Sequence, residues 1–209
     1  MDIKELNNDF CNDCNSDFEN LCEKAKEYFW GWILSGENST NSLGDAIINF
    51  GIFDSKISPI EQIFNICYYR YIIETNLVED YRDAIVQEFC PIPLHCCFIE
   101  ELQKQKHITT NEKNYIVDFC IDFSRKNRSG EYIYPKFKNL KYIIELDGYD
   151  YHSNKKQMNY DYEREQNLQI LGYKIMRFTG SQIYNKPYEC IDKLIKMILT
   201  DMDKEIQNG

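Results

Sequence analysis

The sequence predicts an α/β fold in which a mixed β-sheet is flanked by helices, with core order α-β-β-β-α-β and a helical N-terminal extension. Three observations carry this expectation. Ser58-Pro59-Ile60-Glu61 opens an apolar-periodic segment with a helix-start signature. Residues 115–123 and 140–147 alternate with the period of two that marks strands. Residues 157–178 read as a helix ended by Gly172 and followed by a short apolar strand. Strand, helix and strand over 140–178 form a βαβ unit, so its two strands should run parallel with a right-handed crossover.

Taken in order, residues 1–57 are poor in Pro and rich in Asn, Asp and Ser; they are read as the extension, with helices over about 17–34 and 42–51. A second unit then runs over 58–209. Its first helix is expected over 58–75, where Ser58 is the N-cap, Pro59 takes the first helical position and Glu61 completes a capping box. Ile60, Ile63, Phe64, Cys67 and Tyr71 fall on one stripe of that helix. A strand near 84–90 stops at Pro91 and Pro93, which cannot donate to a ladder. In 115–123, Tyr115, Val117, Phe119, Ile121 and Phe123 take one face, and Ile116, Asp118, Cys120 and Asp122 the other. A polar loop with Gly130 and Pro135 leads to 140–147, where Tyr142, Ile144 and Leu146 face away from Ile143, Glu145 and Asp147. An amphipathic helix over 187–206 ends the fold.

The 209 residues, 43% hydrophobic, suffice for one substantial core. The acidic start Met1-Asp2-Ile3-Lys4-Glu5 does not resemble a secretion signal, and no apolar run approaches the roughly 18 residues that cross a bilayer. A cytoplasmic location without membrane contact is expected. The nine cysteines, an odd number, read as reduced thiols rather than a disulfide framework. Cys11, Cys14 and Cys22 would hold zinc only with a fourth ligand from afar, such as His95, Cys96 or Cys97.

A net charge of −10 argues against a protein that coats nucleic acid by electrostatics alone. The charge is uneven, with 9 Lys and Arg against 21 Asp and Glu over residues 1–119, but 12 against 8 over residues 120–186. The acidic half could dock a protein partner or shield a site. Arg125, Lys126, Arg128, Lys136, Lys138 and Lys141 concentrate the basic excess, as a solvated loop or as a patch that contacts phosphates.

Carboxylates provide the sharpest chemical signal. If Phe123 faces Leu140 across the loop ends, an antiparallel register sets Asp118 opposite Glu145 and Ile116 opposite Asp147. Directly opposed side chains have Cβ atoms about 4.5–5.5 Å apart, and like charges at that spacing destabilise a sheet. The alternative is a wet strand face with solvated acids. Crossover helices that cover both faces disfavour it, leaving a proton or a hard cation, Mg²⁺ or Mn²⁺, to relieve the repulsion.

Val117-Asp118-Phe119, Glu145-Leu146-Asp147-Gly148 with His152, Asp161-x-x-Arg164, Leu168, Gly172-Tyr173 and Arg177-Phe178-Thr179-Gly180 together resemble the PD-(D/E)XK nuclease superfamily. The branch they resemble is that of the very-short-patch-repair endonucleases, over roughly residues 58–185. The resemblance implies a restriction-endonuclease-like fold and a magnesium-dependent endonuclease acting on DNA, with RNA not excluded. It implies that Asp118 and Glu145 ligate the metal and that Glu61 completes the acidic site. Asp147 stands where the superfamily has its lysine and reads as a further ligand, the alternative being a strand-terminal turn residue, while His152 would act as a general acid or base near the phosphate. Arg164 would contact the phosphate or orient Glu145. Arg125, Lys126, Arg128, Lys155 and Lys174 are the expected nucleic-acid contacts, with Lys174 a possible substitute for the missing lysine. A rival reading is a cleavage-incompetent module that binds nucleic acid or a protein.

Overall fold

A computed structural model describes residues 12–35, 51–74, 98, 101–110, 113–147 and 155–208. Most of the expected helix over 42–51, the strand near 84–90, His152, Cys11 and residues 95–97 lie outside the described residues, as do the side chains of Cys14 and Lys155. The elements are α1 (Asn12–Glu19), α2 (Glu23–Leu34), α3 (Pro59–Glu74), β1 (Leu102–Thr109), β2 (Asn114–Asp122), β3 (Lys141–Asp147), α4 (Lys155–Ile170), β4 (Lys174–Thr179), α5 (Gly180–Asn185) and α6 (Pro187–Asn208).

The sheet runs β1-β2-β3-β4, antiparallel through β3 and parallel between β3 and β4. This is the mixed, helix-flanked sheet expected, and the parallel pair is the βαβ unit. The expected β2–β3 register also holds: Phe119 pairs with Ile144, Cys120 with Ile143, Ile121 with Tyr142 and Asp122 with Lys141. The Phe123 N–H donates to Leu140 O where the two strands meet the loop.

Four features differ from the expectation. The single helix over 17–34 is two, α1 and α2, broken between Glu19 and Glu23. β1 was not foreseen because Leu102-Gln-Lys-Gln-Lys-His-Ile-Thr109 has little apolar alternation; it is the sheet's terminal strand, where lysines discourage further pairing. Short α5 was likewise missed, although Thr179 and Gln182 cap it reciprocally. The fourth difference lies in β2. Phe119, Ile121 and Phe123 join the core beneath α3 and α6, but Tyr115 and Val117 join the opposite core, with Cys120, Ile143 and Leu168. The strand changes faces at Asp118.

α3 is buried almost all round, from Glu61 to Tyr69 and again at Ile72, so the expected stripe is only part of its contact surface. The Phe64 and Phe119 ring centroids lie 4.8 Å apart, joining α3 to the sheet with about 1 kcal/mol beyond the area they bury. Phe18, Ala25, Phe29 and Trp32 of α1 and α2 pack in this same core, as do Ile191, Leu194, Ile195 and Ile198 of α6. α4 covers the other face through Leu168. Helices therefore cover both faces, the crossover α4 on one and α3 with α6 on the other, as suits a sheet with a parallel pair. Among the described residues Cys22, Cys67, Cys120 and Cys190 are free thiols, and no helix is long and apolar enough to cross a membrane.

α4 ends as its sequence predicts. The Gly172 N–H donates to Gln169 O at 2.9 Å and the Tyr173 N–H to Leu168 O at 3.1 Å, a Schellman closure that requires the positive φ of +87° at Gly172. Ala at this position would adopt that conformation at a cost of about 1 kcal/mol. Gly172→Ala is expected to lower unfolding stability by about that amount in chemical denaturation. An unchanged midpoint would show that the αL closure is not required.

Candidate active site

The site forms where β2 and β3 part. Their ladder ends at Phe119–Ile144, so the next pair, Asp118 and Glu145, is the first without backbone pairing. The Asp118 carboxylate replaces the missing backbone acceptor, as its Oδ2 takes the Leu146 N–H at 2.7 Å. Beyond this point the strands separate, and the expected Ile116–Asp147 pairing does not form. Arg164 of α4 fills the gap: its Nη2 donates to Ile116 O at 2.9 Å and to Glu145 Oε1 at 2.6 Å. Glu145 is only 8% exposed, and this guanidinium is the counter-charge that makes its burial tolerable.

β4 contributes the next layer through its parallel register, which sets Arg177 beside Glu145 and Thr179 beside Asp147. Arg177 Nη1 lies 3.6 Å from Asp147 Oδ1, and its Nη2 lies 3.5 Å from Glu165 Oε2. Gly180 follows at the turn into α5, where a Cβ would come within 3.2 Å of Asp147 O. The glycine thus permits β3 and α5 to approach closely at the acidic end of the sheet.

Glu61 enters from α3, where it is 6% exposed. Its Oε2 accepts the Ser58 N–H at 2.8 Å, while the Glu61 N–H donates to Ser58 Oγ at 3.4 Å, so the predicted capping box is present. Its Oε1 accepts from Gln105 Nε2 of β1. By register Gln105 stands opposite Asp118, between the Lys104–Phe119 and Lys106–Val117 pairs, and that one pair is absent from the ladder. Gln105 has φ +45°, the only positive φ outside glycine among the described residues. Such a conformation costs a non-glycine residue about 1–2 kcal/mol.

Burial pushes the Asp118 carboxyl up to about 7, and the charges of Glu145 and Glu61 push the same way; the Leu146 N–H and Arg164 only partly oppose them. Burial also raises Glu145, against Arg164 and Arg177. The cluster is thus short of positive charge near neutral pH. Two hard oxygens, Asp118 Oδ1 and Glu145 Oε2, remain open among the described residues. Mg²⁺ is held by one or two carboxylates with retained waters, so this donor set fits it. Among the described residues no group of three or more His, Cys, Asp or Glu side chains is placed to hold a metal.

Sequence reasoning brought Asp118, Glu145, Asp147, Glu61 and Arg164 to this end of the sheet. It did not single out Gln105, for which the sequence carries no signal, nor give Arg177 a role, although that residue lies in the quoted Arg177-Phe178-Thr179-Gly180 stretch. The basic loop lies elsewhere. It leaves the hairpin at Asp122–Lys141, four residues and about 13 Å along the strand from Asp118. There Arg125 pairs with buried Glu101, Lys126 lies over the Tyr132 ring and Arg128 is exposed. Lys174 sits beside Tyr142 and binds Asp201 at 2.7 Å, three residues and about 10 Å along β4 from Arg177. On β4, Arg177 and not Lys174 is the cation beside Glu145, in addition to Arg164 of α4.

The family model REase_MTES_1575 matches residues 99–198, from the start of β1 to most of α6. It describes a restriction-endonuclease-like family, consistent with the PD-(D/E)XK superfamily, and the mixed sheet with its flanking helices is consistent with that fold. Sheet and match therefore agree on a restriction-endonuclease-like fold, and the matched family suggests nuclease activity. No curated protein and no solved structure matches the chain.

An acid that holds its proton more tightly when folded costs stability as it ionises. For Asp118 that cost is absent below its ordinary value of 3.8 and complete above about 7. The metal-free chain is expected to lose this increment of Tm as pH rises through that window. Asp118→Asn, which keeps an acceptor for the Leu146 N–H, should melt above the wild type at about pH 8 and level with it at about pH 4. A variant that melts below the wild type at about pH 8 would contradict the burial argument.

Proposed function

We propose that the chain is a metal-dependent endonuclease that hydrolyses phosphodiester bonds in DNA, of the branch that resembles very-short-patch-repair enzymes. The observation that carries this reading is the convergence of Asp118 and Glu145 at the parting of β2 and β3, each with one oxygen open. Asp118 and Glu145 would hold Mg²⁺ or Mn²⁺. When bound, the ion would supply an acidified water and stabilise charge on the phosphoryl oxygen.

The remaining work falls to the chain's own groups. Glu61 adds negative charge behind Asp118, which strengthens the pull of the site on any positive charge. Arg164 orients Glu145 through its 2.6 Å bond and holds the gap between the strands open. Asp147, beside Arg177, takes the place of the superfamily lysine as a further acid, and Arg177 adds a second positive charge beside Glu145 from the neighbouring strand. His152 would carry a proton to or from an oxygen of the phosphate. Lys155, Arg125, Lys126, Arg128 and Lys174 would contact the nucleic-acid backbone further out, as positions rather than specificity contacts.

Incubation with duplex and single-stranded DNA and RNA, with Mg²⁺, Mn²⁺ or chelator, tests the reading. Cleavage of DNA that requires the ion is expected, and Asp118→Ala or Glu145→Ala should reduce it by about 100-fold or more while the chain remains folded. The occupation of Glu145 Oε1 by Arg164 favours one rival, a module that binds without cutting. Binding without cleavage under every metal would establish that rival, and either alanine variant cutting at the wild-type rate would remove the acids from the site.

A further inference from the structure

Gln105 adopts a left-handed backbone at the one point of β1 that faces Asp118, and there the β1–β2 ladder loses a pair. Strain of this kind persists only where the surroundings enforce it, and it concentrates at functional sites. A glycine would adopt the same conformation freely, and the short side chain of an asparagine would tolerate it better. What a glutamine adds is reach: its amide Nε2 donates to Glu61 Oε1, across from β1 to α3.

We propose that Gln105 is a positioning residue, which locks the Glu61 carboxylate against the Asp118 end of the site; this deepens the nuclease reading and rests on it. Both oxygens of Glu61 are thereby committed, Oε2 to the Ser58 N–H and Oε1 to Gln105. The orientation of a 6% exposed carboxylate is then fixed from two elements at once. The donor chemistry matters as well. A lysine or arginine here would pair with Glu61 as a counter-ion, whereas a neutral amide holds the carboxylate without adding charge. The strain of Gln105 and the missing ladder pair are the local cost of turning that amide from the sheet toward α3.

The test compares the full chain with Gln105→Gly and Gln105→Asn. Glycine relieves the backbone but removes the amide; asparagine accepts the backbone but is one methylene too short. Each variant is assayed for Mg²⁺-dependent cleavage of duplex DNA and for thermal unfolding. Gln105→Gly is expected to melt at or above the wild-type temperature while kcat falls about 10-fold or more with KM unchanged, and Gln105→Asn to show the same loss. Wild-type kcat in both variants, or a loss only in step with lost stability, would overturn the proposal.

Absence of cleavage by the wild-type chain would instead count against the nuclease reading. The pairing is then decided by denaturation of Gln105→Gly, Glu61→Ala and the double variant. Coupled effects on the unfolding midpoint support the lock, and additive ones refute it.

Discussion

Keeping carboxylates buried or half-buried where two strands separate is the constraint on which this structure turns. A sheet interior supplies backbone partners but little water, so an acid there needs a hydrogen bond, a counter-charge or a cation. Asp118 obtains the first by standing in for a ladder acceptor at Leu146, and Glu145 the second from Arg164. Neither solution is complete, as burial still raises both groups. The same geometry that opens the strands also leaves one oxygen of each acid available.

The helices serve this constraint from both sides. α4 crosses from β3 to β4, and its Arg164 reaches the parting because the helix packs back on the sheet through Leu168. α3 lies on the opposite face, buried nearly all round by α1, α2, α6 and the sheet, and so presents Glu61 from a rigid element. At its other end the sheet is pinned by a different network, where Tyr142, Lys174 and Lys204 all bind Asp201 of α6. The two ends of β3 thus differ: Tyr142 anchors one to α6, while Glu145 and Asp147 stand at the candidate site.

Asp147 occupies the position at which the PD-(D/E)XK pattern carries a lysine, so β3 itself offers no cation there. The parallel register supplies a cation from the neighbouring strand instead, with Arg177 between Asp147 and Glu165. An arginine shared by two acids is held less as a proton-transfer group than as a fixed positive charge, since guanidinium does not deprotonate in proteins. Electrostatics at this site therefore depends on residues far apart in sequence, Glu61 and Gln105 on one side, Arg164 and Arg177 on the other.

By itself the sequence determined what depends on periodicity and local capping. Alternation gave the β2 and β3 strands, the loop ends gave their register, Gly172 gave the end of α4, and Ser58 with Glu61 gave the start of α3. These signals suffice because helix starts, helix ends and hairpin register are settled within a few residues of chain. Tertiary structure alone decided the rest. It turned β2 over at Asp118, so that Val117 and Phe119 serve opposite cores; it made a strand of the polar segment Leu102–Thr109; and it sent the basic loop to the far end of the hairpin. It also bent Gln105 toward Glu61. Each of these outcomes follows from which element packs against which, a contact energy shared between distant segments that no local pattern records.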